Sequence, residues 1–253
     1  MEKIWLLAGT TEGRLIAEKA GRLGLECYAS TATEYGKDQL DSAAGVKAIS
    51  GRMDEGKMEA FIREREIGMV IDATHPFARA VTENIQKACK RTGCRYMRCL
   101  RKKVCVQVKE SEAAFFPSIE EAVDFLKGTE GNILVGTGSK DLKAYTRIPN
   151  YKERCYVRVL STLSSVELAA SLGFEGAHLA AMQGPFSKEM NLALLRQTKA
   201  SYFVTKESGS EGGFKEKLQA AREAGVYLIV IARREEAGMS LEEVMEYLEK
   251  TDR

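Results

Sequence analysis

The chain is poor in several features that mark whole classes of protein. It contains four prolines, two histidines and one tryptophan in 253 residues. With so little proline and a hydrophobic content of 44%, it is expected to be ordered, with one large core or two smaller ones. Its longest apolar runs, such as residues 226–232, are far shorter than the roughly 20 residues that a transmembrane helix needs. The N-terminal segment shows no signal-peptide cleavage region, so we expect a cytoplasmic protein that does not associate with membranes.

The cysteines and histidines do not form a metal-binding pattern. None of the six cysteines belongs to a C-x-x-C pair, and the two histidines, His75 and His178, lie far apart in the sequence. In a chain without a secretory leader, thiols placed in this way are expected to be reduced. We therefore predict neither a metal site nor a disulfide framework.

Excess charge of one sign is also absent, because 38 basic residues nearly balance 36 acidic ones and leave a net charge of +2. Such a balance argues against a general nucleic-acid-binding protein. Basic residues gather locally at Arg98, Arg101, Lys102 and Lys103, a pattern that suits a small anionic ligand.

The chain does contain a regular alternation of short apolar runs and longer amphipathic stretches. This alternation is typical of successive βα units and a parallel sheet. Helices are expected at 12–23, 54–66 and 78–92. Strands are expected near residues 4–8, 25–30, 46–50, 69–73 and 95–98, and again near 132–135, 156–160, 177–182, 202–205 and 226–231.

These elements favour an α/β protein built from two Rossmann-like, doubly wound, parallel-sheet domains with a cleft between them. Residues 1–100 form the predicted dinucleotide-binding domain, and residues 101–253 form a second α/β domain that contributes to the substrate cleft. The segment that holds the alternating run Val104–Val108 is interpreted as the crossover between them. A single continuous sheet is the alternative arrangement.

Ligands of open parallel sheets bind beyond the carboxyl ends of the strands, so the loops at that edge are the candidate sites. The first of them, GTTEGR at 9–14, places two glycines and two threonines between a strand and a helix. Its N–H groups and hydroxyls suit a pyrophosphate, which makes Gly9, Thr10, Thr11 and Gly13 candidate cofactor contacts. The loop departs from G-x-G-x-x-G, and a βα turn capped by Thr10 or Thr11 is the alternative.

Two further loops bear on the cofactor and on the chemistry. The second strand ends near Ser30 without the carboxylate that NAD-preferring sites place on the ribose, which favours NADPH. Glu34 and Arg52 lie close enough in sequence to leave that choice open. In the DATHPF segment after the fourth strand, His75 and Pro76 lie at the edge where ligands bind. His75 is a candidate to orient substrate or donate a proton, and a capping or hydrogen-bonded histidine is the alternative.

Three loops of the second half combine glycine with hydroxyl or charged side chains: GTGSK at 136–140, QGPFS at 183–187 and KESGSEGGF at 206–214. The first is not a nucleoside-triphosphate loop, because no glycine directly precedes Lys140. Tyr202 and Lys206 match the Y-x-x-x-K pair of short-chain dehydrogenases, but four residues of a strand span about 13 Å and separate the two side chains. The third loop is expected to approach a ligand, with a mobile surface loop as the alternative.

Six segments, in order along the chain, carry a family resemblance: GTTEGR, STATEYG, DATHPFA, GTGSK, AMQGPFS followed by Asn191, and VTKESGSEGGFKEK. In these segments the chain resembles the precorrin-6A reductase family of cobalamin biosynthesis, and the resemblance spans nearly its whole length. Enzymes of that family use NADPH or NADH to reduce one double bond of the precorrin-6A macrocycle, or of its cobalt-bearing equivalent, to the 6B form.

The resemblance implies two sets of site residues. The cofactor, NADPH or NADH, would be held by Gly9, Thr10, Thr11, Glu12, Gly13, Arg14, Ser30, Thr31, Arg52 and Thr74. The tetrapyrrole-derived substrate would contact His75, Pro76, Phe77, Gly138, Ser139, Lys140, Gly184, Pro185, Phe186, Ser187, Lys206, Glu207, Ser208, Gly209, Gly212 and Gly213. Its negatively charged arms suit Lys140, Lys206 and either Arg98 or Arg101. His75 or a bound water would supply the proton that follows the hydride.

Other functions fit the same architecture. A different nicotinamide-dependent reductase or epimerase would be distinguished by the substrate that triggers cofactor oxidation. A non-catalytic dinucleotide-binding sensor is a second alternative, although the paired sets of glycine-rich loops argue against it. A methyltransferase also places a glycine-rich loop after its first strand, and cofactor titration separates it. The chain is expected to act as a monomer or a small homo-oligomer.

Overall fold

The computed structural model describes residues 2–38, 40, 45–100, 108–207, 213–233 and 236–251. The chain divides into two compact units, which we call unit 1 (Met1–Lys102 with Glu235–Arg253) and unit 2 (Lys103–Arg234). Each has its own parallel sheet, so the prediction of a two-domain α/β fold is confirmed and a single continuous sheet is wrong. The ranges differ at the C-terminus, because Glu235–Arg253 belongs to unit 1 and not to the expected second domain 101–253.

Unit 1 begins with alternating strands and helices close to the expected positions. Each apolar run forms a strand, and each amphipathic stretch forms the helix that follows it. In chain order they are β1 (Lys3–Leu7), α1 (Thr11–Arg22), β2 (Cys27–Thr31), α2 (Glu34–Asp38), β3 (Val46–Ser50), α3 (Glu55–Glu64), β4 (Ile67–Asp72), α4 (Arg79–Thr92) and β5 (Arg95–Leu100).

Both faces of the unit 1 sheet are covered. Successive side chains of a strand point to opposite faces, and β1 shows the consequence. Ile4 and Leu6 pack in the core cluster that includes α1, whereas Trp5 and Leu7 pack in the cluster that includes α3 and α4. The strand is therefore apolar along its whole length, as expected for a buried strand of a doubly wound fold.

Unit 2 repeats the alternation with shorter helices. The strand expected at 177–182 is reduced to three residues, because a turn of 3-10 helix occupies Gly176–His178. The elements are β6 (Ala113–Phe116), α5 (Ile119–Lys127), β7 (Asn132–Val135), α6 (Leu142–Tyr145), α7 (Tyr151–Arg154), β8 (Cys155–Val159), α8 (Leu163–Ser171), β9 (Leu179–Ala181), α9 (Lys188–Gln197), β10 (Ala200–Lys206), α10 (Phe214–Ala224) and β11 (Tyr227–Ile231).

One face of the unit 2 sheet packs against α9 and α10. Leu134 of β7 and Phe203 of β10 share a buried cluster with Leu192 of α9 and Leu218 of α10. The strand β6, which the sequence did not indicate, pairs in parallel with β11 at the edge of this sheet. Of the expected crossover Val104–Val108, residues 104–107 lie outside the described residues.

The C-terminal segment returns to unit 1 as β12 (Met239–Ser240) and α11 (Leu241–Thr251). β12 pairs in parallel with β5, and Val244 and Leu248 of α11 are buried in the cluster that contains α1. Gly238 permits the approach, because a Cβ there would lie 2.6 Å from the carbonyl oxygen of Arg98. No helix in the described ranges is long and apolar enough to cross a membrane.

The strand orders locate the candidate loops. Over the described residues, the sheet of unit 1 runs β12-β5-β4-β1-β2-β3 and that of unit 2 runs β6-β11-β10-β7-β8-β9, with all pairs parallel. The chain reverses its direction of winding between β1 and β4, and again between β7 and β10. Such switch points open a crevice at the carboxyl edge where α/β proteins bind ligands. The loops after β1 and β4 are therefore the candidate site of unit 1, and the loops after β7 and β10 are that of unit 2.

Candidate active site

The turn between β1 and α1 brings backbone N–H groups to the switch point of unit 1. Gly9 has a φ of +111°, and nothing lies within 4 Å of where its Cβ would be. Thr10 is the N-cap of α1, because its Oγ1 accepts from the Gly13 N–H at 3.1 Å. The same hydroxyl donates to the carbonyl of Ala73 at 2.7 Å. A capping threonine is thus confirmed, and it also ties the loop after β1 to the loop after β4.

Gly13 lets the first turn of α1 approach β1 closely. A Cβ at this position would lie 2.9 Å from the Cα of Ala8 and 3.0 Å from its Cβ. Close helix–strand packing of this kind is one of the roles of glycine in dinucleotide-binding turns. Thr11 and Glu12 form the first turn, where N–H groups and the positive end of the helix dipole stabilise an anion. Arg14 is paired with a glutamate one turn further along α1.

The expected ribose contacts lie at the ends of β2 and β3. Ser30 is buried, and its Oγ accepts from the indole N–H of Trp5 at 3.0 Å. Thr31 donates from its hydroxyl to the carbonyl of Thr33 at 2.9 Å. Arg52 is exposed. These contacts fix the end of β2 and connect it to the one tryptophan of the chain.

A buried ion pair lies beneath the loop after β4, and the sequence did not indicate it. Asp72 is 0% exposed, and its Oδ1 lies 2.8 Å from Nη1 of Arg98. The N–H and hydroxyl of Thr74 donate to the same oxygen at 3.0 and 2.7 Å. The hydroxyls of Thr82 and Tyr96 donate to Oδ2 at 2.8 and 3.0 Å. Burial raises the pKa of the Tyr96 phenol, and the negative charge of Asp72 raises it further. The phenol therefore keeps its proton and remains a hydrogen-bond donor.

Arg98 connects this network to the C-terminal segment. Its Nε donates to Oε2 of Glu236 at 2.9 Å, and the residue is 5% exposed. The sequence suggested Arg98 as a partner for an anionic substrate, but two carboxylates of the protein already balance its charge. Its role in the structure is to support the loop after β4. Arg101, the other suggestion in this segment, lies outside the described residues.

The loop after β4 carries Thr74, His75, Pro76 and Phe77, all of them half-buried. The N–H of Phe77 donates to Nδ1 of His75 at 3.3 Å, and the two ring centroids are 5.7 Å apart. A neutral imidazole that accepts at Nδ1 carries its proton at Nε2. The local hydrogen bond therefore orients the ring and, in the neutral imidazole, favours the tautomer with its proton at Nε2.

The switch point of unit 2 is closed by an ion pair. Lys206, at the end of β10, lies 2.7 Å from Oδ2 of Asp141 in the loop after β7. In that loop Gly138 has a φ of +89° and Ser139 donates to the hydroxyl of Ser165 at 3.1 Å. Lys140 is exposed. Of the two lysines expected to meet anionic arms, Lys206 already has a carboxylate beside it.

The remaining predicted contacts follow β9 and β10. The Gly184–Pro185 bond is cis, and Ser187 caps α9 by accepting from the Met190 N–H at 3.2 Å. Glu207 accepts from the N–H of Arg233 at 2.9 Å on its Oε2. The predicted contact Gly213 has a φ of +68° and lies directly before α10, whereas Ser208, Gly209 and Gly212 lie outside the described residues.

A buried arginine lies beside these loops, and sequence reasoning missed it. Arg158 of β8 is 5% exposed, and its Nη1 donates to Oδ1 of Asn191 at 2.9 Å. The ring of Phe186 stacks 3.9 Å from its Cζ. Burial lowers the pKa of Arg158 to about 10. Lys217, in the first turn of α10, has its pKa lowered to about 7, mainly by burial and secondly by the positive charge of Arg158. The negative charge of Glu216 acts in the opposite direction.

Comparison with known proteins connects this arrangement to a family. The family model described as "Precorrin-6x reductase CbiJ/CobK" matches residues 3–249. The cobalt-precorrin-6A reductase of Methanothermobacter thermautotrophicus is 36% identical over 231 residues, which cover 91% of this chain and 76% of that protein. That of Priestia megaterium is 33% identical over 232 residues, covering 91% and 90%.

Two further comparisons agree with these. The precorrin-6A reductase of a Sinorhizobium species is 30% identical over 241 residues, which cover 94% of this chain and 88% of that protein. The solved structure described as "CobK precorrin-6A reductase" superposes with a TM-score of 0.75 at 24% identity, covering 99% of this chain and 97% of that one. At that identity the structural match shows the fold alone.

Proposed function

Because this chain belongs to the precorrin-6x reductase family and is therefore an oxidoreductase of cobalamin biosynthesis, we propose that it transfers a hydride from NADPH or NADH to precorrin-6A or cobalt-precorrin-6A. The product is the corresponding 6B form, with one double bond of the macrocycle reduced. The curated relatives of highest identity cited above are named for the cobalt-bearing substrate, which makes that form our first choice.

The observation that carries this proposal is the turn between β1 and α1. Gly9 opens the turn, Thr10 caps the helix, and Gly13 brings the helix against β1, where any Cβ would clash with Ala8. Together they place the N-terminus of α1 at the switch point of unit 1, where a pyrophosphate finds N–H donors and a positive dipole. We propose the first turn of α1, from Thr11 to Arg14, as the remainder of the pyrophosphate site.

The two ends of the cofactor have separate candidate contacts. At the adenosine end, Ser30, Thr31 and Arg52 follow β2 and β3. Glu34 is hydrogen-bonded to Ser50 at the same edge, and a carboxylate there suits an unphosphorylated ribose, whereas Arg52 suits a 2′-phosphate. At the nicotinamide end, we propose Thr74 as a cofactor contact. The bound cofactor supplies the hydride, and the protein orients it and excludes water.

Substrate contacts and proton transfer follow from the other loops. In unit 2 we propose that the macrocycle contacts residues 138–140, 184–187, Lys206, Glu207 and the glycine-rich segment 208–213. In unit 1 we propose that His75, with Pro76 and Phe77, faces the macrocycle. The Phe77 N–H directs the proton of a neutral His75 to Nε2, which suits it to assist proton delivery, directly or through a bound water.

The state of the cysteines bears on the compartment in which the enzyme acts. The described cysteines Cys27, Cys89, Cys94, Cys99 and Cys155 are all unpaired, which suits the reducing cytoplasm. We propose that the enzyme acts there as a monomer or a small homo-oligomer.

The test is anaerobic oxidation of NADPH and of NADH, followed by absorbance, with each macrocycle in turn. Oxidation that requires cobalt-precorrin-6A or precorrin-6A supports the proposal and identifies both cofactor and substrate. If a cofactor binds but neither macrocycle is reduced, the chain is a dinucleotide sensor or another reductase. Quenching of Trp5, which is hydrogen-bonded to Ser30, reports cofactor binding independently of turnover.

A further inference from the structure

Two loops of unit 2 that the sequence singles out lie against one guanidinium. Phe186, from the loop after β9, stacks on Arg158 at 3.9 Å. Gly136, from the loop after β7, lies so close that a Cβ there would be 3.5 Å from Nη2 of Arg158. Lys217 is in the first turn of α10, directly after the glycine-rich loop, and the charge of Arg158 helps to lower its pKa. The arginine thus lies against two of the proposed substrate loops.

The charge of Arg158 is buried without a counter-ion in the described part of the chain. Arg98 of unit 1 provides an internal comparison, because both arginines are 5% exposed. Arg98 faces Asp72 and Glu236, whereas the described residues give the side chain of Arg158 one hydrogen bond, to the neutral amide of Asn191. A buried charge is costly unless it is paired, and a guanidinium has five N–H donors to satisfy. A ligand anion would supply the missing pairing.

The surroundings hold the guanidinium in place. Asn191 is 0% exposed, and its amide donates to the carbonyls of Phe186 and Ser187 at 3.3 and 2.8 Å. Its Oδ1 is therefore directed at Arg158. With one face covered by the Phe186 ring and one nitrogen bound to Asn191, the guanidinium keeps N–H groups in its plane, the geometry that binds a carboxylate through two parallel hydrogen bonds.

We propose that Arg158 binds one carboxylate arm of the macrocycle. The inference rests on the proposed function for the identity of the ligand. It assigns to Arg158 a role that the resemblance gave to Lys140, Lys206 and either Arg98 or Arg101. The phosphate groups of the cofactor are the other anions available, and the test separates the two.

The test compares Arg158→Met and Arg158→Lys with the control Arg196→Met, which removes an exposed arginine of α9. The readouts are KM and kcat for cobalt-precorrin-6A, the shift in melting temperature on adding that macrocycle without cofactor, cofactor affinity from Trp5 quenching, and the melting temperature of the free protein. The two measurements that use the macrocycle are repeated after its carboxylates have been esterified.

We expect Arg158→Met to raise KM about 10- to 100-fold and to weaken binding without cofactor by the same factor. A charge-assisted hydrogen bond typically contributes that much to binding. Arg158→Lys should recover part of the loss. Wild type and Arg158→Met should bind the esterified macrocycle equally, and cofactor affinity should not change. The free variant should be at least as stable as wild type, because a buried charge has been removed.

Different results overturn the inference. Equal binding of the acidic macrocycle by wild type and Arg158→Met would show that no arm binds there, and a loss confined to cofactor affinity would assign the site to a phosphate. A lower melting temperature with unchanged binding would make Arg158 structural. If wild type binds the macrocycle but does not reduce it, the proposed function fails while the binding comparison still decides the role of Arg158.

Discussion

The carboxylate of Asp72 and the guanidinium of Arg98 form an ion pair of 2.8 Å at the carboxyl edge of the unit 1 sheet, with both side chains almost completely buried. Around it, hydrogen bonds from Thr74, Thr82 and Tyr96 use both carboxylate oxygens. The pair joins the strand before the His75 loop to a strand that also pairs with the C-terminal segment. It therefore holds the candidate catalytic loop on a rigid base.

Breaking this pair should destabilise the protein strongly. Asp72→Asn leaves the Arg98 charge with one carboxylate, at Glu236, and should lower the free energy of unfolding by about 3–5 kcal/mol. Urea unfolding measures the change. Asp124→Asn is the control, because Asp124 pairs with Lys127 and Arg147 at the surface and should cost less than about 1 kcal/mol. Equal effects at the two positions would contradict the structural role assigned to Asp72.

Gly13→Ala tests the cofactor turn. The added methyl group would meet Ala8 at 2.9 Å, so α1 must shift away from β1, at a cost of about 1–3 kcal/mol. Cofactor affinity, measured by Trp5 quenching, should fall together with stability. The control is Gly56→Ala in α3, where the nearest atom would be 3.7 Å away and stability should stay the same or rise. Unchanged cofactor affinity in Gly13→Ala would remove the main support for the dinucleotide site.

His75→Asn tests the proton-transfer role. The asparagine amide can still make a local hydrogen bond but cannot act as an acid, so kcat should fall about 10²- to 10⁴-fold while cofactor affinity is retained. Single-turnover kinetics with saturating macrocycle measure the change. A kcat equal to that of the wild type would leave His75 as a loop-shaping residue, with a bound water as the source of the proton.

Lys217 predicts a specific dependence of stability on pH. Its pKa falls from 10.5 in the unfolded chain to about 7 in the folded one, so between these pH values the unfolded chain holds a proton that the folded chain has released. Burial of this lysine therefore destabilises the folded protein most below about pH 7, and the free energy of unfolding rises as the pH increases through that window.

Lys217→Met should accordingly be more stable than the wild type at neutral pH, and the advantage should shrink toward pH 10.5. Urea unfolding across the window measures both effects. The control Lys215→Met changes an exposed lysine of the same helix and should show neither. A Lys217→Met advantage that is constant with pH would contradict the lowered pKa.

Much of the fold could be predicted because it depends on local pattern. Apolar runs such as residues 69–73 and amphipathic stretches such as 78–92 follow the periods of strand and helix, and both sheets followed from their alternation. The return of Glu235–Arg253 to unit 1 could not, because the two-residue strand β12 is defined by its partner β5 rather than by its own sequence.

The candidate site divides in the same way. The capped glycine turn at Gly9–Gly13 is a local motif, so its position and a capping role for Thr10 or Thr11 could be predicted from the sequence; the structure gives the role to Thr10. Arg158 was not, since a single arginine among apolar residues of a strand gives no sign of whether it faces solvent or a buried site. Asp72 and Arg98 were also missed as a pair, because their contact forms between neighbouring strands that are distant in sequence.

Transfer of the hydride from cofactor to macrocycle can be followed with an isotope label. NADPH or NADH carrying deuterium at the transferable C4 position is incubated anaerobically with the protein and cobalt-precorrin-6A, and the product is examined by mass spectrometry and NMR. We expect a 6B product that carries the cofactor's deuterium at a ring carbon. A reduced product without the label, or label retained in the cofactor after incubation with an intact macrocycle, would contradict it.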